Sequence, residues 1–494
     1  MDGASLGSLA SVRYFLPELT LTLFALALIL LGLFIKEEAR GKLAGIALAG
    51  LILAALSLLP DIPGEGQFLF GQMVVFDAFA MFFKLFAIGA TLFIVLFSWR
   101  TKEPSRHPSE FFALLLVTAL GMSLMAAAVD LLMMYLALEL VSVPSYVLAG
   151  YQKNSKASAE AALKYVIYGG VSSGIMLFGM SLLFGLTGKT NLFEINQFLI
   201  ANPVYLLPLL LSLLFILAGL GYKIASVPFH FWCPDVYEGA PTPVTAFLSV
   251  GPKAAGFAMM IRFFYVTLVT PEGGALLPVK DLDWPLLLAV ISAITMSLGN
   301  LAALAQRNIK RLLAYSGIAH AGYILMGVVL LNHDGLRASL FYLLIYLFMN
   351  LGAFLVVIYL GQRLGSELIE DYEGLAWRAP ILAIPMGIFL LSLIGIPPLA
   401  GFIAKFYIFA AVIEAKLYWL AVIGLVNTTI AVYYYARILR AMFLVADTGG
   451  RKLSLPAFDQ GLLWAFVLPL IVFGVYWIPA LKFAEMSFKV FRGY

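Results

Sequence analysis

Apolar runs of about twenty residues recur from one end of this chain to the other, and that is the length a helix needs to cross the hydrocarbon of a bilayer. Lipid offers no water to satisfy a bare backbone N–H or C=O, so such runs must fold as helices. They fall near residues 16–35, 42–60, 73–98, 111–129, 131–150, 161–186, 204–232, 242–270, 285–305, 312–331, 337–361, 379–413, 417–444 and 461–480. With 63% of the 494 residues hydrophobic and 12% charged, a soluble multi-domain fold is excluded. The expectation is an all-α integral membrane protein of about fourteen transmembrane helices.

The few charges sort into two kinds. Most cations sit in connections that follow odd-numbered runs: Lys36, Arg40 and Lys42, then Arg100, Lys102 and Arg106, then Lys153 and Lys156, then Arg307, Lys310 and Arg311, then Arg363 and Arg378, then Arg451 and Lys452. Even-numbered runs are followed only by Lys189, Lys280, Arg337 and Lys416, with acidic Asp61 and Glu65. By the positive-inside rule the odd connections are cytoplasmic and both termini face outward. Topology thus accounts for the net charge of +4, and no nucleic-acid footprint is present. The seventh connection, with Asp235 and Glu238 and no cation, dissents and hints at a functional role. The amino terminus has neither a basic n-region nor a small-residue cleavage site, so the first run is expected to stay as a span. Cys233 is the only cysteine, which leaves no intramolecular disulfide and no cysteine-held cluster. Redox cofactors are therefore expected in partners.

The second kind lies inside the runs. Glu139, Lys223, Lys253 and Lys405 each face an insertion cost of about 2.5–3.5 kcal/mol at the bilayer centre, and moving ions or protons is the reason such residues are kept. Glu139, in YLALELVSVPSY, has no cation at helical spacing, and Lys223 is its expected distant partner. At an effective dielectric of 20, unit charges 4 Å apart attract by about 4 kcal/mol, so a pair that forms and breaks would switch proton affinity. Lys253 precedes AAGF, small residues that let helices approach closely, and burial without an anion suits it to carrying a proton. Lys164, near the start of run six, reads either as an interfacial snorkeller or as part of a path. His320, in YSGIAHAGY, reads as a packing residue or as a proton relay. His230 beside Trp232 reads as a helix-end contact, and His107 and His333 as loop residues.

Runs seven and twelve are interrupted. Run seven holds Gly219, Gly221 and Pro228 around Lys223, and run twelve holds Gly395, Pro397, Pro398 and Gly401 before Lys405. A single proline in a membrane helix is usually a packing kink. A buried lysine beside the break in both runs points instead to a site built on freed backbone groups. Ala161, Leu163, Tyr165 and Tyr168 in run six are echoed by Ala338, Leu340, Tyr342 and Tyr346 in run eleven, either by chance between apolar helices or as a repeat. Copies five spans apart insert with opposite orientation, the inverted-repeat arrangement of ion-coupled transporters.

The string HFWCPDVYEGAPTPVTAFLSVGPKAAGFA from His230 resembles the signature of the N-type, antiporter-like membrane subunits of respiratory NADH:quinone oxidoreductase, complex I. QRNIKRLLAYSGIAHAGY from Gln306, YLALELVSVPSYVLAGYQK around Glu139 and the Lys405 region resemble further hallmarks of that superfamily, in the family's order. The resemblance covers roughly runs three to thirteen. It implies a fourteen-helix fold whose runs 4–8 and 9–13 form inverted five-helix bundles, with helices 7 and 12 broken. The corresponding divisions are 1–110, a first repeat 111–270, a second repeat 285–444, and a C-terminal helix in 445–494. It also implies a hydrated polar line of Glu139 paired with Lys223, then Lys164, Lys253, His320 and Lys405, coupling quinone reduction elsewhere to proton transfer here. No flavin, iron-sulfur cluster, metal or nicotinamide is expected in this chain; those groups and the quinone belong to partner subunits. The expected partners are other complex I membrane subunits, the lipid bilayer and protons, and the expected location is the bacterial plasma membrane. Lys405 matches N-type rather than M-type subunits, and with an end soon after run fourteen the lateral helix of L-type ones is not expected. A subunit of a multi-subunit sodium/proton antiporter and a non-transporting scaffold remain as rival readings.

Overall fold

The computed structural model describes residues 8–34, 40–59, 66–101, 103, 107–272, 275–446 and 454–488. Lys36, Asp61, Glu65, Lys102, Arg106, Arg451 and Lys452, like both chain ends, lie outside the described residues.

Every one of the apolar runs holds helix. Among the described residues ten helices are long and apolar enough to cross a membrane by length and composition, from Ala78–Thr101 to Ala457–Val475. The other runs hold Leu16–Gly32, Arg40–Leu56, Ile309–Val328 and the pair Pro380–Ile394 and Ala400–Glu414. Short polar residues close the helix starts. Asp130 accepts from the Leu132 and Met133 N–H groups, Asn308 from Lys310 and Arg311, and Asn332 from Gly335, satisfying donors that a helix start leaves bare.

Three features depart from the apolar pattern. Run eight stops at Thr267 rather than 270, because Pro271 removes an N–H and disfavours helix in the residue before it; there Val269–Glu272 pairs antiparallel with Ala275–Pro278. A second hairpin joins Gln67–Leu69 to Val74–Phe76, with Leu69 opposite Val74. A short helix, Leu192–Ala201, fills the connection after run six, started by Asn191.

The chain divides into two compact units, one holding the described residues up to Ala225, Gly251–Pro285 and 485–488, the other Ser226–Val250 and Leu286–Ala484. Among the described residues two buried ion pairs lie in the first. Arg262 grips Asp77 through both guanidinium nitrogens at 2.8 and 2.9 Å, donates from Nε to the Ala126 carbonyl at 2.7 Å, and lies 4.9 Å from the Phe79 ring centre. Asp77 also accepts from the Ala80 N–H at 2.6 Å, capping the helix Ala78–Thr101. Lys84 meets Glu18 at 2.7 Å, both wholly buried. Arg262→Ala strands the Asp77 carboxylate in the core and is expected to destabilise the subunit by about 3–5 kcal/mol. Asp77→Asn with Arg262→Met removes both charges and keeps a cap, so it should cost much less; thermal unfolding in detergent compares the two.

Candidate functional site

In the first unit Lys223 is the next-to-last residue of the helix Leu206–Ile224 and is 2% exposed. Its ammonium donates to Ser142 Oγ at 3.0 Å. The Ser142 hydroxyl spends its own proton on the Leu138 carbonyl at 2.7 Å, which turns a lone pair toward the lysine. The expected direct pairing with Glu139 is corrected here: among the described residues no ion pair joins Glu139 to Lys223. Glu139 lies one turn before Ser142 on the same helix, so the hydroxyl takes the place at the ammonium that the carboxylate was expected to fill. Glu139 still acts on Lys223 through its field, and its Oε1 is buried without a hydrogen-bond partner.

Aromatic side chains wall this group. Tyr222 Oη donates to the Tyr165 carbonyl at 3.1 Å, and the Tyr165 and Tyr146 rings meet edge to face at 4.9 Å. Lys253, also 2% exposed, belongs to the helix Thr242–Thr267. One turn on, Gly256 sits so close to Lys223 that a Cβ there would lie 3.2 Å from the lysine's Cβ and Cγ. The small-residue run after Lys253 therefore packs its helix against the Lys223 stem. Lys164 pairs with Glu160 at 2.7 Å along one helix face, and its side chain keeps 36% of its surface exposed.

The second unit contains Lys405, in the second turn of Ala400–Glu414. The helix before it, Pro380–Ile394, ends at Gly395, whose φ of 90° suits glycine and turns the chain out of the helix. That break frees the last carbonyls of the first half-helix. Lys405 Nζ reaches back and donates to one of them, Ile394 O, at 2.8 Å, while lying 4.7 Å from the centre of the Tyr323 ring. Gly401 permits this return, because a Cβ there would fall 1.9 Å from the Ser392 carbonyl oxygen. In run seven the break follows the lysine instead: Ala225, at φ 59°, ends the helix, and Pro228 and the short helix Trp232–Gly239 come after it.

His320 is buried between tyrosines, with Nδ1 at 2.7 Å from Tyr342 Oη and Nε2 at 3.4 Å from Tyr435 Oη, which also bonds Ser316. A further polar cluster went unread in the sequence. Asn300 contacts Tyr323 Oη at 3.4 Å and Asn427 Oδ1 at 3.2 Å and accepts from Tyr434 at 3.0 Å, and Asn427 continues to Ser297 at 3.1 Å. Counting charges overlooks buried amides, although Asn300 and Asn427 inside apolar runs carry the same kind of signal. The dissenting acids of the seventh connection, Asp235 and Glu238, are answered by Arg311 at 2.5 and 2.9 Å. Lys310 holds the same neighbourhood through Glu367 at 2.8 Å and the Ala240 carbonyl at 2.9 Å.

Lys223 and Lys405 thus donate to neutral oxygens. A hydroxyl or carbonyl accepts from an ammonium and from a neutral amine alike, so the side chain stays in place when its proton leaves. A carboxylate partner would instead favour the charged form alone.

Residues 128–431 match the family model described as NADH:quinone oxidoreductase/Mrp antiporter, TM. The chain is 47% identical to NADH-quinone oxidoreductase subunit N of Anaeromyxobacter sp. (strain Fw109-5), covering 98% of each. It is 46% identical to NADH-quinone oxidoreductase subunit N 2 of Chloroherpeton thalassium, covering 96% of this chain and 94% of that one. A chain of respiratory complex I from Thermus thermophilus with bound aureothin superposes with a TM-score of 0.78 at 34% identity, over 94% of this chain and 98% of that one.

Ser142→Ala leaves the Lys223 ammonium without its acceptor. The variant is expected to lose about 1–3 kcal/mol of stability, and Ser142→Thr, which keeps the hydroxyl, to lose little; thermal unfolding of the subunit in detergent reads both.

Proposed function

Because the chain belongs to the NADH:quinone oxidoreductase/Mrp antiporter family of membrane subunits, we propose that it is an N-type, proton-translocating subunit of an NADH:quinone oxidoreductase complex. The observation that carries the reading is the pair of buried lysines, Lys223 and Lys405, each beside a helix break and each held by a neutral oxygen. Electron transfer is assigned to partner subunits, which hold the flavin, the iron-sulfur clusters and the quinone site. This chain answers it with proton movement, and other membrane subunits of the complex are its neighbours. The setting is a bacterial plasma membrane, with both termini on the outer side.

In this scheme Glu139, Lys223 and Lys253 handle protons in one unit and His320 and Lys405 in the other, with Lys164 supplying the first from the membrane surface. Glu139 acts as the movable charge. At an effective dielectric of 20, closing a unit pair from about 8 Å to about 4 Å changes its energy by about 2 kcal/mol. Moving one charge against 100 mV takes about 2.3 kcal/mol, so a swing of Glu139 toward and away from Lys223 is of the right size. The neutral acceptors keep both lysines aimed while the proton passes. The names of the relatives favour this reading over a stand-alone sodium/proton antiporter and over a scaffold.

Lys223→Ala in the assembled complex, reconstituted into sealed vesicles, is expected to lower the protons moved per electron, and unimpaired pumping would refute the role of Lys223. Glu139→Gln is expected to weaken coupled activity while the subunit still inserts and assembles. Loss of insertion in that variant, seen by membrane fractionation, would make Glu139 a structural residue instead.

A further inference from the structure

An open groove of about 810 Å³ runs between the helices Pro380–Ile394 and Tyr418–Phe443 of the second unit. Ile384, Ile388 and Leu391 form one wall, and Ala436, Leu439 and Phe443 the other. At one end stand Arg437 and Arg440. These two arginines also line an adjoining hollow of about 210 Å³, whose other side carries Arg307, Glu370 and Glu373. The order along the surface is therefore apolar groove, then the Arg437 and Arg440 guanidinium groups, then the Glu370 and Glu373 carboxylates with Arg307 beside them.

The charges in this hollow are not spent on one another. Arg437 is fixed by donating to the Leu304 and Gln306 carbonyls, neutral acceptors that leave its charge uncompensated. Arg440 is exposed, and among the described residues its guanidinium makes no ion pair or hydrogen bond. Glu370 and Glu373 are likewise exposed and form no ion pair among the described residues. The hollow is built from connections nine and eleven and the end of run thirteen, which the positive-inside rule sets on one side of the membrane. Exposed Trp377, beside the start of Pro380–Ile394, suits the level of the lipid headgroups.

We propose that this groove is a binding site for a phospholipid whose headgroup carries a primary ammonium beyond its phosphate, the phosphatidylethanolamine class. The acyl chains lie along Ile384, Ile388 and Leu391, the phosphodiester meets Arg437 and Arg440, and the ammonium extends to Glu370 and Glu373. The sequence of apolar, cationic and anionic surfaces matches the sequence of groups along such a lipid. A purely anionic lipid would meet the same arginines but face repulsion from the two carboxylates.

The test uses the intact complex in vesicles containing photoactivatable phosphatidylethanolamine, phosphatidylglycerol or phosphatidylcholine, with the labelled peptides found by mass spectrometry. Phosphatidylethanolamine is expected to label the two helices most strongly. Arg440→Gln should reduce that labelling about fivefold. Glu370→Gln with Glu373→Gln should erase the preference over phosphatidylglycerol. These side chains are exposed, so the fold is expected to tolerate all three changes. Equal labelling by the three lipids, labelling indifferent to Arg440→Gln, or cross-linking of the groove to a neighbouring protein would each overturn the proposal.

Discussion

A charge shut away from water must find its counterpart inside the protein, and this chain answers that demand in two different ways. Arg262 with Asp77, and Lys84 with Glu18, are compensated pairs in which each charge is held by its opposite. Losing a proton there would leave one partner buried and alone, so these pairs act as fixed struts. Lys223 and Lys405 rest instead on a hydroxyl and on a backbone carbonyl. Such acceptors stabilise position more than protonation state, and in the proposed scheme that difference separates a strut from a carrier.

The helix breaks make the second arrangement possible. An unbroken helix uses its carbonyls internally and has none to offer a lysine. Ending Pro380–Ile394 at Gly395 releases the Ile394 carbonyl, and the close approach at Gly401 brings Lys405 back to it. In run seven the lysine lies before the break, at the end of its own helix, and its acceptor comes from a neighbouring helix through Ser142. The two lysines thus reach similar chemistry by different local routes.

Much of this was legible in the sequence, because hydrocarbon permits so few folds. Run length located the long apolar helices, though not the short ones such as Leu192–Ala201 and Trp232–Gly239, and the Gly and Pro clusters located both breaks. Hidden were the contacts set by tertiary packing. Lys84 and Arg262 sit in apolar runs as plainly as Lys223 does, yet nothing local distinguishes a lysine that will meet Glu18 from one that will meet a serine. The substitution of Ser142 for Glu139 at the Lys223 ammonium is a step of about one turn along the same helix face, which periodicity does not resolve. The amides of Asn300 and Asn427 escaped because they are uncharged. The hairpin at Val269–Glu272 shows the opposite lesson, since Pro271 announced the helix end that hydropathy ran past.

The claim at the centre is that a buried lysine on a neutral acceptor passes protons in step with electron transfer elsewhere in the complex. Its most direct measurement is the ratio of protons moved to electrons transferred by reconstituted complex carrying Lys405→Gln, which keeps a donor for the Ile394 carbonyl but cannot titrate. The account predicts a lower ratio in fully assembled complex. An unchanged ratio would contradict it.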